Sequence, residues 1–257
     1  MSVNYEEIIA LVQETDKIIF DEEAVGHVIE KGLADYVTYV DLGVQHFLQK
    51  ELTARYPEIA FMGEEEGENH LHPEGSCWIL DPIDGTTNLI HHYNHSAISL
   101  GLWEKGQIVF GVVYNPFTKE VYSAERGKGA FCNGERLQVS KAEDLGHCLL
   151  NFGTGPYQKE LAPENFRKLQ AIYMLCQDIR RSGSAALDLC YVASGRCEGF
   201  FEIALKPWDY AAGSVILEEA GGVITNWAGE PVTFHKGGTV CASCCGKVQK
   251  ELLELLK

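Results

Sequence analysis

Residues 78–92 read WILDPIDGTTNLIHH, and this stretch decides how the rest of the chain is understood. An apolar segment ending in Trp78, Ile79 and Leu80 runs straight into Asp81 and Asp84, with Pro82 and Ile83 between them. Proline fixes its own φ and pushes the residue before it toward an extended conformation, so Asp81 is expected where a strand leaves its sheet. Gly85 permits a sharp bend, and Thr86 and Thr87 can open a helix. In that geometry both carboxylates and the Ile83 carbonyl face one spot beside a helix N-terminus. Hard oxygen donors of this kind suit Mg²⁺, which takes one or two carboxylates and completes its shell with water and phosphate oxygens. Free N–H groups at a helix start suit a phosphate. These are the parts of a metal-assisted phosphoryl hydrolysis site.

Taken alone, two aspartates at this spacing also fit a solvated turn. An EF-hand calcium loop begun at Asp81 fails, because its sixth and twelfth positions need Gly and Glu and here hold Thr86 and His92. The surrounding sequence adds weight. Glu64, Glu65 and Glu66 follow Gly63, Asp209 opens a helix in KPWDYAAG, and Asp35, Thr38 and Asp41 precede another helix. Separately these read as an acidic loop, an N-cap and a capping set; in this order they point to one carboxylate site.

The 257 residues carry 37 acidic and 21 basic side chains, a formal net charge of −16. That balance argues against a broad nucleic-acid footprint, which needs clustered Lys and Arg, and against docking on anionic lipid. An acidic protein that handles an anionic substrate needs cations in its site. The opening MSVNYEEIIALVQETDKIIF is broken by Glu6, Glu7, Glu14 and Asp16, unlike a signal peptide, and no apolar run reaches the length of a membrane span. The nine scattered cysteines are expected reduced, in the cytoplasm. Cys241, Cys244 and Cys245 have one zinc-like spacing without a second pair to complete it, and read as small buried hydrophobes.

Tyr5, Ile8, Ile9, Val12 and Ile19 fall on one helical stripe, and Val44, Phe47, Leu48 and Leu52 on a second. From Cys77 the texture turns to strands: CWIL, AISLGLW and QIVFGVVY, with turns at Lys105-Gly106 and Asn115-Pro116. AFCNGERLQV places Asn133-Gly134 between two short strands, a hairpin signal. Beyond residue 145 the pattern alternates. CLLNF and GFFEIAL read as strands; APENFRKLQAIYML, SAALDLCYVASG, DYAAGSVILEEAGG and KVQKELLELLK read as helices. The expected organisation is an N-terminal helix-and-sheet half, 1–145, carrying most metal ligands, and a C-terminal α/β half, 146–257, with Asp209.

These motifs resemble the inositol monophosphatase family: GEE at 63–65, WILDPIDGTTN at 78–88, GSAALDL at 183–189 and WDYAAG at 208–213, in order along nearly the whole chain. The resemblance implies an α+β fold, a layered αβαβα sandwich of the inositol monophosphatase/fructose-1,6-bisphosphatase type. It implies a Mg²⁺-dependent, lithium-sensitive phosphomonoesterase with two or three ions, commonly a homodimer. Glu64, Asp81, the Ile83 carbonyl, Asp84 and Asp209 would hold the metals. Glu64 and Thr86 would position and deprotonate the attacking water, with Asp41 hydrogen-bonded to Thr86. Gly85 and Thr86 amides would cradle the phosphate. Gly183, Ser184, Ala185 and Glu202 would contact the alcohol part of the substrate, with Asp209 close to the leaving oxygen. Arg180-Arg181 and Lys206-Pro207 look like bacterial members; Lys206 either offers charge to a second anionic group or covers surface. His91, His92 and His95 are read as packing or exposed, since Mg²⁺ prefers oxygen.

The substrate implied is inositol monophosphate or a similar small polyol phosphate. Fructose 1,6-bisphosphate, NADP(H) and 3′-phosphoadenosine 5′-phosphate are alternatives within the same mechanism. From other classes come a partner of an RNA or transcription complex, and a structural metal-binding protein.

Overall fold

A helix with one apolar stripe needs a flat surface to lie on, and the first half of the chain makes both. The computed structural model describes residues 3–21, 28–32, 35–65, 71–72 and 74–257. The outer layer holds α1 (Tyr5–Gln13), α2 (Asp16–Ile19) and α3 (Tyr39–Arg55). The stripe expected to form one helix over 5–19 is interrupted. Thr15 is fully buried and turns its hydroxyl onto the Val12 carbonyl at 2.6 Å, and the chain restarts as α2. Ile8, Leu11 and Val12 of α1 and Val44, Leu48 and Leu52 of α3 pack on Trp78, Leu80, Leu100 and Val112, one face of a large sheet.

That sheet has seven strands in chain order: β3 (Ala60–Gly63), β4 (Ser76–Asp84), β5 (Ala97–Glu104), β6 (Gln107–Asn115), β7 (Glu120–Glu125), β8 (Gly129–Cys132) and β9 (Glu135–Arg136). The first pair is parallel and the rest antiparallel. Asn133 and Gly134 both take positive φ, 49° and 83°, as a two-residue hairpin turn requires. β1 (Val28–Gly32) and β2 (Asp35–Thr38) form a separate antiparallel ribbon. The ribbon is not legible in ADYVTYVD, whose Asp35, Thr38 and Asp41 read as a capping set. One part of that reading is present: Thr38 caps α3, accepting from Val40 N at 3.1 Å, and its own N–H donates to Asp41 Oδ2 at 2.9 Å.

The opposite face of the large sheet is covered by α6 (Ala185–Ala193) and α7 (Pro207–Glu219). Helix α7 buries Tyr210, Ala211, Ala212, Val215, Ile216 and Leu217 and so has no polar face, as suits a helix between two sheets. Gly101 and Gly111, direct partners across β5 and β6, make the seat for α7. A Cβ at Gly111 would fall 2.6 Å from the Ala212 carbonyl oxygen. The second sheet follows, in the order β11 (Asp178–Arg180), β10 (Leu149–Phe152), β12 (Gly199–Leu205), β14 (Gly238–Ser243), β13 (Val223–Thr225). On its far side lie α5 (Ala162–Tyr173) and α8 (Gly246–Leu256), whose Ile172, Val248 and Leu252 meet Leu150 and Phe201. The five layers are the αβαβα sandwich expected. No described helix is long and apolar enough to cross a membrane.

The short α4 (Thr86–Ile90) leaves the end of β4, and there the ends of β3, α6 and α7 converge.

Candidate active site

The sequence reading had a strand leaving the sheet at Asp81. In the structure β4 runs on to Asp84, pairing Asp81 with Ser99 and Asp84 with Ala97 across an irregularity. The displaced residues, Pro82 and Ile83, set the two carboxylates at one strand end. The Ile83 N–H returns to Asp81 Oδ1 at 3.0 Å. Gly85 follows at φ 93°, a left-handed conformation open to glycine. A Cβ there would also lie 3.0 Å from the Gly183 carbonyl oxygen.

Asp84 is held from the other half of the chain. Its Oδ2 accepts from Ser184 Oγ at 2.6 Å and from Ala186 N at 2.7 Å, at the start of α6. Asn88 ties the same two segments, donating from Nδ2 to the carbonyls of His95 at 2.7 Å and Ser182 at 3.0 Å. Thr86 donates its hydroxyl to Asp41 Oδ1 at 2.8 Å, the contact expected between them, with the Ile83 carbonyl 3.1 Å away. Asp41 is fully buried, and burial pushes its carboxyl up against the hydrogen bonds from Thr38 and Thr86.

Glu64 lies just past β3, its N–H on the Leu80 carbonyl at 3.2 Å. Glu65 donates its N–H to Gln45 Oε1 at 3.0 Å, and Gly63 leaves the room Gln45 needs, since a Cβ there would fall 2.3 Å from that oxygen. Gln45 is a support that the sequence reading missed; its signal is the spacing of one helical turn from Asp41 on α3. Glu66 lies outside the described residues, and Asp35 is described only as backbone of β2. Asp209 stands in the third position of α7, because the helix begins two residues earlier than expected, at Pro207. Its Oδ2 accepts from Lys206 N at 2.7 Å.

Glu64, Asp81, Asp84 and Asp209 meet at this place. Burial pushes all four carboxyls up. Asp209 and then Glu65 add to the effect at Glu64, and Glu64 and then Asp84 add to it at Asp81. Asp84 is pushed up to about 6, against the donors Ser184 and Ala186 and the charge of Arg181. Glu64 and Asp209 both stand close enough to Asp81 for their charges to raise its carboxyl. Carboxyls tolerate such contacts only with a proton or a cation between them.

This oxygen-only set fits Mg²⁺. Among the described residues no group of three or more His, Cys, Asp and Glu side chains is arranged to hold a metal by itself. An ion here would draw on one or two of these carboxylates together with water, the Ile83 carbonyl and substrate oxygens, the usual habit of Mg²⁺.

The residues expected to face the substrate adjoin this cluster. Gly183 takes φ 93° beside Asn88, with Arg181 reaching past it to Thr154 Oγ1 at 3.1 Å. Glu202 on β12 accepts from Gly155 N at 3.0 Å. Lys206 is exposed, as are His91 and His92, while His95 packs between Tyr93 and Tyr191. Cys241 and Cys244 are buried and Cys245 partly so, all as free thiols.

A model of the inositol monophosphatase family matches residues 3–257. The chain belongs to that family. Family members are generally Mg²⁺-dependent phosphatases. The chain is 37% identical over 225 residues to Nus factor SuhB of Xylella fastidiosa, covering 87% of this chain and 81% of the relative. Among solved structures, extragenic suppressor protein suhB from Bartonella henselae superposes with a TM-score of 0.90 at 34% identity, covering 98% of each chain. The Thermotoga maritima IMPase gives 0.88 at 31% identity, covering 98% of this chain and 96% of that one. The chain thus shares its fold with proteins named as phosphatases and with proteins named for transcription.

Glu202 yields a prediction of its own. Burial raises its carboxyl from 4.5 to about 7, against the pull of the Gly155 N–H and Arg181. The folded chain then keeps this proton longer than the unfolded chain. The resulting stability is present below 4.5 and is lost as pH rises through about 7. In EDTA, the wild-type Tm is expected to fall more steeply over that window than the Tm of Glu202→Gln, which cannot ionise. Equal slopes in scanning calorimetry would show that Glu202 does not titrate there.

Proposed function

We propose that this chain is a Mg²⁺-dependent phosphomonoesterase that hydrolyses inositol monophosphate or a similar small polyol phosphate. The observation that carries the reading is the meeting of Glu64, Asp81, Asp84 and Asp209 beside Gly85 and Thr86. Four clustered carboxylates, two of them buried, repel one another when ionised, so the site favours cations that neutralise them. Bound Mg²⁺ supplies Lewis acidity and acidifies water, and lets an acidic protein accept a phosphate ester.

The residues then divide the work. The Thr86 hydroxyl gives its hydrogen to Asp41, which turns a lone pair of Oγ1 toward an attacking water. Glu64, whose carboxyl is pushed up by burial and by Asp209, is the base that would take the proton of that water. Gly85 and Thr86 N–H groups cradle the phosphate. Gly183, Ser184, Ala185 and Glu202 bound the alcohol, and Asp209 lies beside the leaving oxygen. In this reading residues 1–145 bring Glu64, Asp81 and Asp84, and residues 146–257 bring Asp209 and the substrate contacts. The resemblance adds a homodimer, read by light scattering, and inhibition by lithium.

The test is phosphate release with and without Mg²⁺ from inositol 1-phosphate, fructose 1,6-bisphosphate, NADP and 3′-phosphoadenosine 5′-phosphate. A Mg²⁺-dependent preference for inositol 1-phosphate is expected. A preference for one of the others would keep the mechanism and replace the substrate. No release from any of them would overturn the enzymatic reading.

A second reading is association with a transcription complex, supported by relatives named Nus factor SuhB, one of them 37% identical. The net charge of −16 disfavours a wide phosphate-backbone contact, so protein components of such a complex are the better candidates. Failure to co-purify with RNA polymerase and its elongation factors would remove this reading.

A further inference from the structure

Behind the turn that carries Ser184 lies a buried carboxylate that the chemistry above does not use. Asp188, on α6, is 2% exposed. Its Oδ1 accepts from Asn151 Nδ2 on β10 and from Ser182 Oγ, both at 2.7 Å. A hydroxyl has one hydrogen to give. With that hydrogen on Asp188, Ser182 Oγ turns a lone pair to the Ser184 N–H at 3.2 Å. The next link is Ser184 Oγ, which donates to Asp84 Oδ2 alongside Ala186 N. The same turn is pinned on its outer side where the Ser182 carbonyl accepts from Asn88.

A polar chain therefore runs from a strand of the second sheet to a carboxylate at the edge of the first: Asn151, Asp188, Ser182, Ser184, Asp84. Burial pushes the Asp188 carboxyl well up, with Ser182 and Arg181 opposing and Glu202 and Asp84 adding to it. A group that costs so much to bury is worth keeping for its capacity to accept two hydrogen bonds on one oxygen. Leucine or alanine at this position would leave the Ser182 hydroxyl and the Asn151 amide without their acceptor.

We infer that Asp188 is a positioning residue: through Ser182 it sets the 182–186 turn, and that turn fixes the orientation of the Asp84 carboxylate. The kinetic side of this inference rests on the phosphatase reading; the metal-binding side rests only on Asp84 being a ligand.

The experiment compares wild type with Asp188→Ala, Asp188→Asn and Ser182→Ala. Mg²⁺ is titrated calorimetrically into metal-free protein without substrate, and KM and kcat are measured separately with inositol 1-phosphate. Asp188→Ala should weaken Mg²⁺ binding about tenfold, the low end for groups that orient metal ligands, and Ser182→Ala about threefold, as for the loss of one neutral hydrogen bond. Asp188→Asn should return to within about twofold of wild type, because its Oδ1 can still accept from both partners. KM should rise with the loss of the turn more than kcat falls.

A merely structural Asp188 would lower Tm and leave Mg²⁺ affinity unmoved in all three variants, and that result overturns the inference. If Asp188→Ala does not fold, Ser182→Ala carries the test, since Ser182 is only partly buried in a surface turn. Weakened Mg²⁺ binding in a wild-type background that releases no phosphate would sink the phosphatase reading and leave the positioning role standing. Unmoved affinity with an active wild type would do the reverse. A wild type that binds no Mg²⁺ overturns both.

Discussion

Asp84→Asn is expected to leave the chain folded and to lower Mg²⁺-dependent phosphate release by roughly a thousandfold. The amide has the size of the acid, and its oxygen can still accept from Ser184 Oγ and Ala186 N, so the turn that reaches Asp84 stays in place. What is lost is the charge that, in the proposed mechanism, would hold a cation against the phosphate. Lewis-acid stabilisation of this kind supplies several kcal/mol, and each ~1.4 kcal/mol is tenfold in rate.

The variant should separate activity from stability. In metal-free protein, burial already pushes the Asp84 carboxyl up to about 6, so its ionised form is held at a cost near neutral pH. An amide carries no charge to desolvate, and the Tm of Asp84→Asn in EDTA should equal or exceed that of wild type. Adding Mg²⁺ should raise the wild-type Tm by about 5–10 °C at a hundredfold excess over Kd, and should raise that of the variant far less. A folded Asp84→Asn protein with wild-type turnover would take Asp84 out of the chemistry. Loss of near-ultraviolet circular dichroism would instead mean that the substitution had damaged the fold.

Much of this architecture is legible in the sequence where a pattern is local. β4, β5 and β6 have alternating or continuous apolar residues closed by turns, and α3 and α8 bear apolar stripes against polar faces, so period alone identifies them. Asp81 and Asp84 stand out because proline and glycine flank them. The features that escape are short or non-local. β11 and β13 have three residues each, too few for a period. Thr15 breaks the first helix through a hydroxyl-to-carbonyl bond that any exposed threonine could forgo. The bond from Ser184 to Asp84 spans 100 residues. Asp188 hides for another reason: eight of the nine residues of α6 are buried, so the helix has no polar face against which a functional carboxylate would show. The GSAALDL motif draws the eye to Ser184, one helical turn before Asp188, and only the packed structure shows that the two are linked through Ser182.

Gly111→Ala should cost stability and activity together, although residue 111 holds no functional group. Gly101 and Gly111 face each other across β5 and β6, and the backbone of α7 rests on the flat they leave. A Cβ at 111 would sit 2.6 Å from the Ala212 carbonyl oxygen, 2.7 Å from Val215 Cγ1 and 2.9 Å from Ala212 Cα. Two of these three atoms are helix backbone, which has no rotamer to escape into, so the helix must lift from the sheet by several tenths of an ångström or more. Overpacking of this kind costs about 1–3 kcal/mol, which for a domain of this size lowers Tm by roughly 2–10 °C. Asp209 lies one helical turn before Ala212 on the same helix and moves with it, while Asp81 and Asp84 stay with β4. Misplacement of a reacting group by about 1 Å can cost a hundredfold in rate, so kcat is expected to fall by about ten- to a hundredfold in protein that is still folded. Gly238→Ala is the control, since a Cβ there meets nothing within 4 Å; it should match wild type in both respects. Gly111→Ala with a wild-type Tm and turnover would mean that α7 takes up the methyl without carrying Asp209, and that the glycine seat does not set the distance between Asp209 and the other three carboxylates.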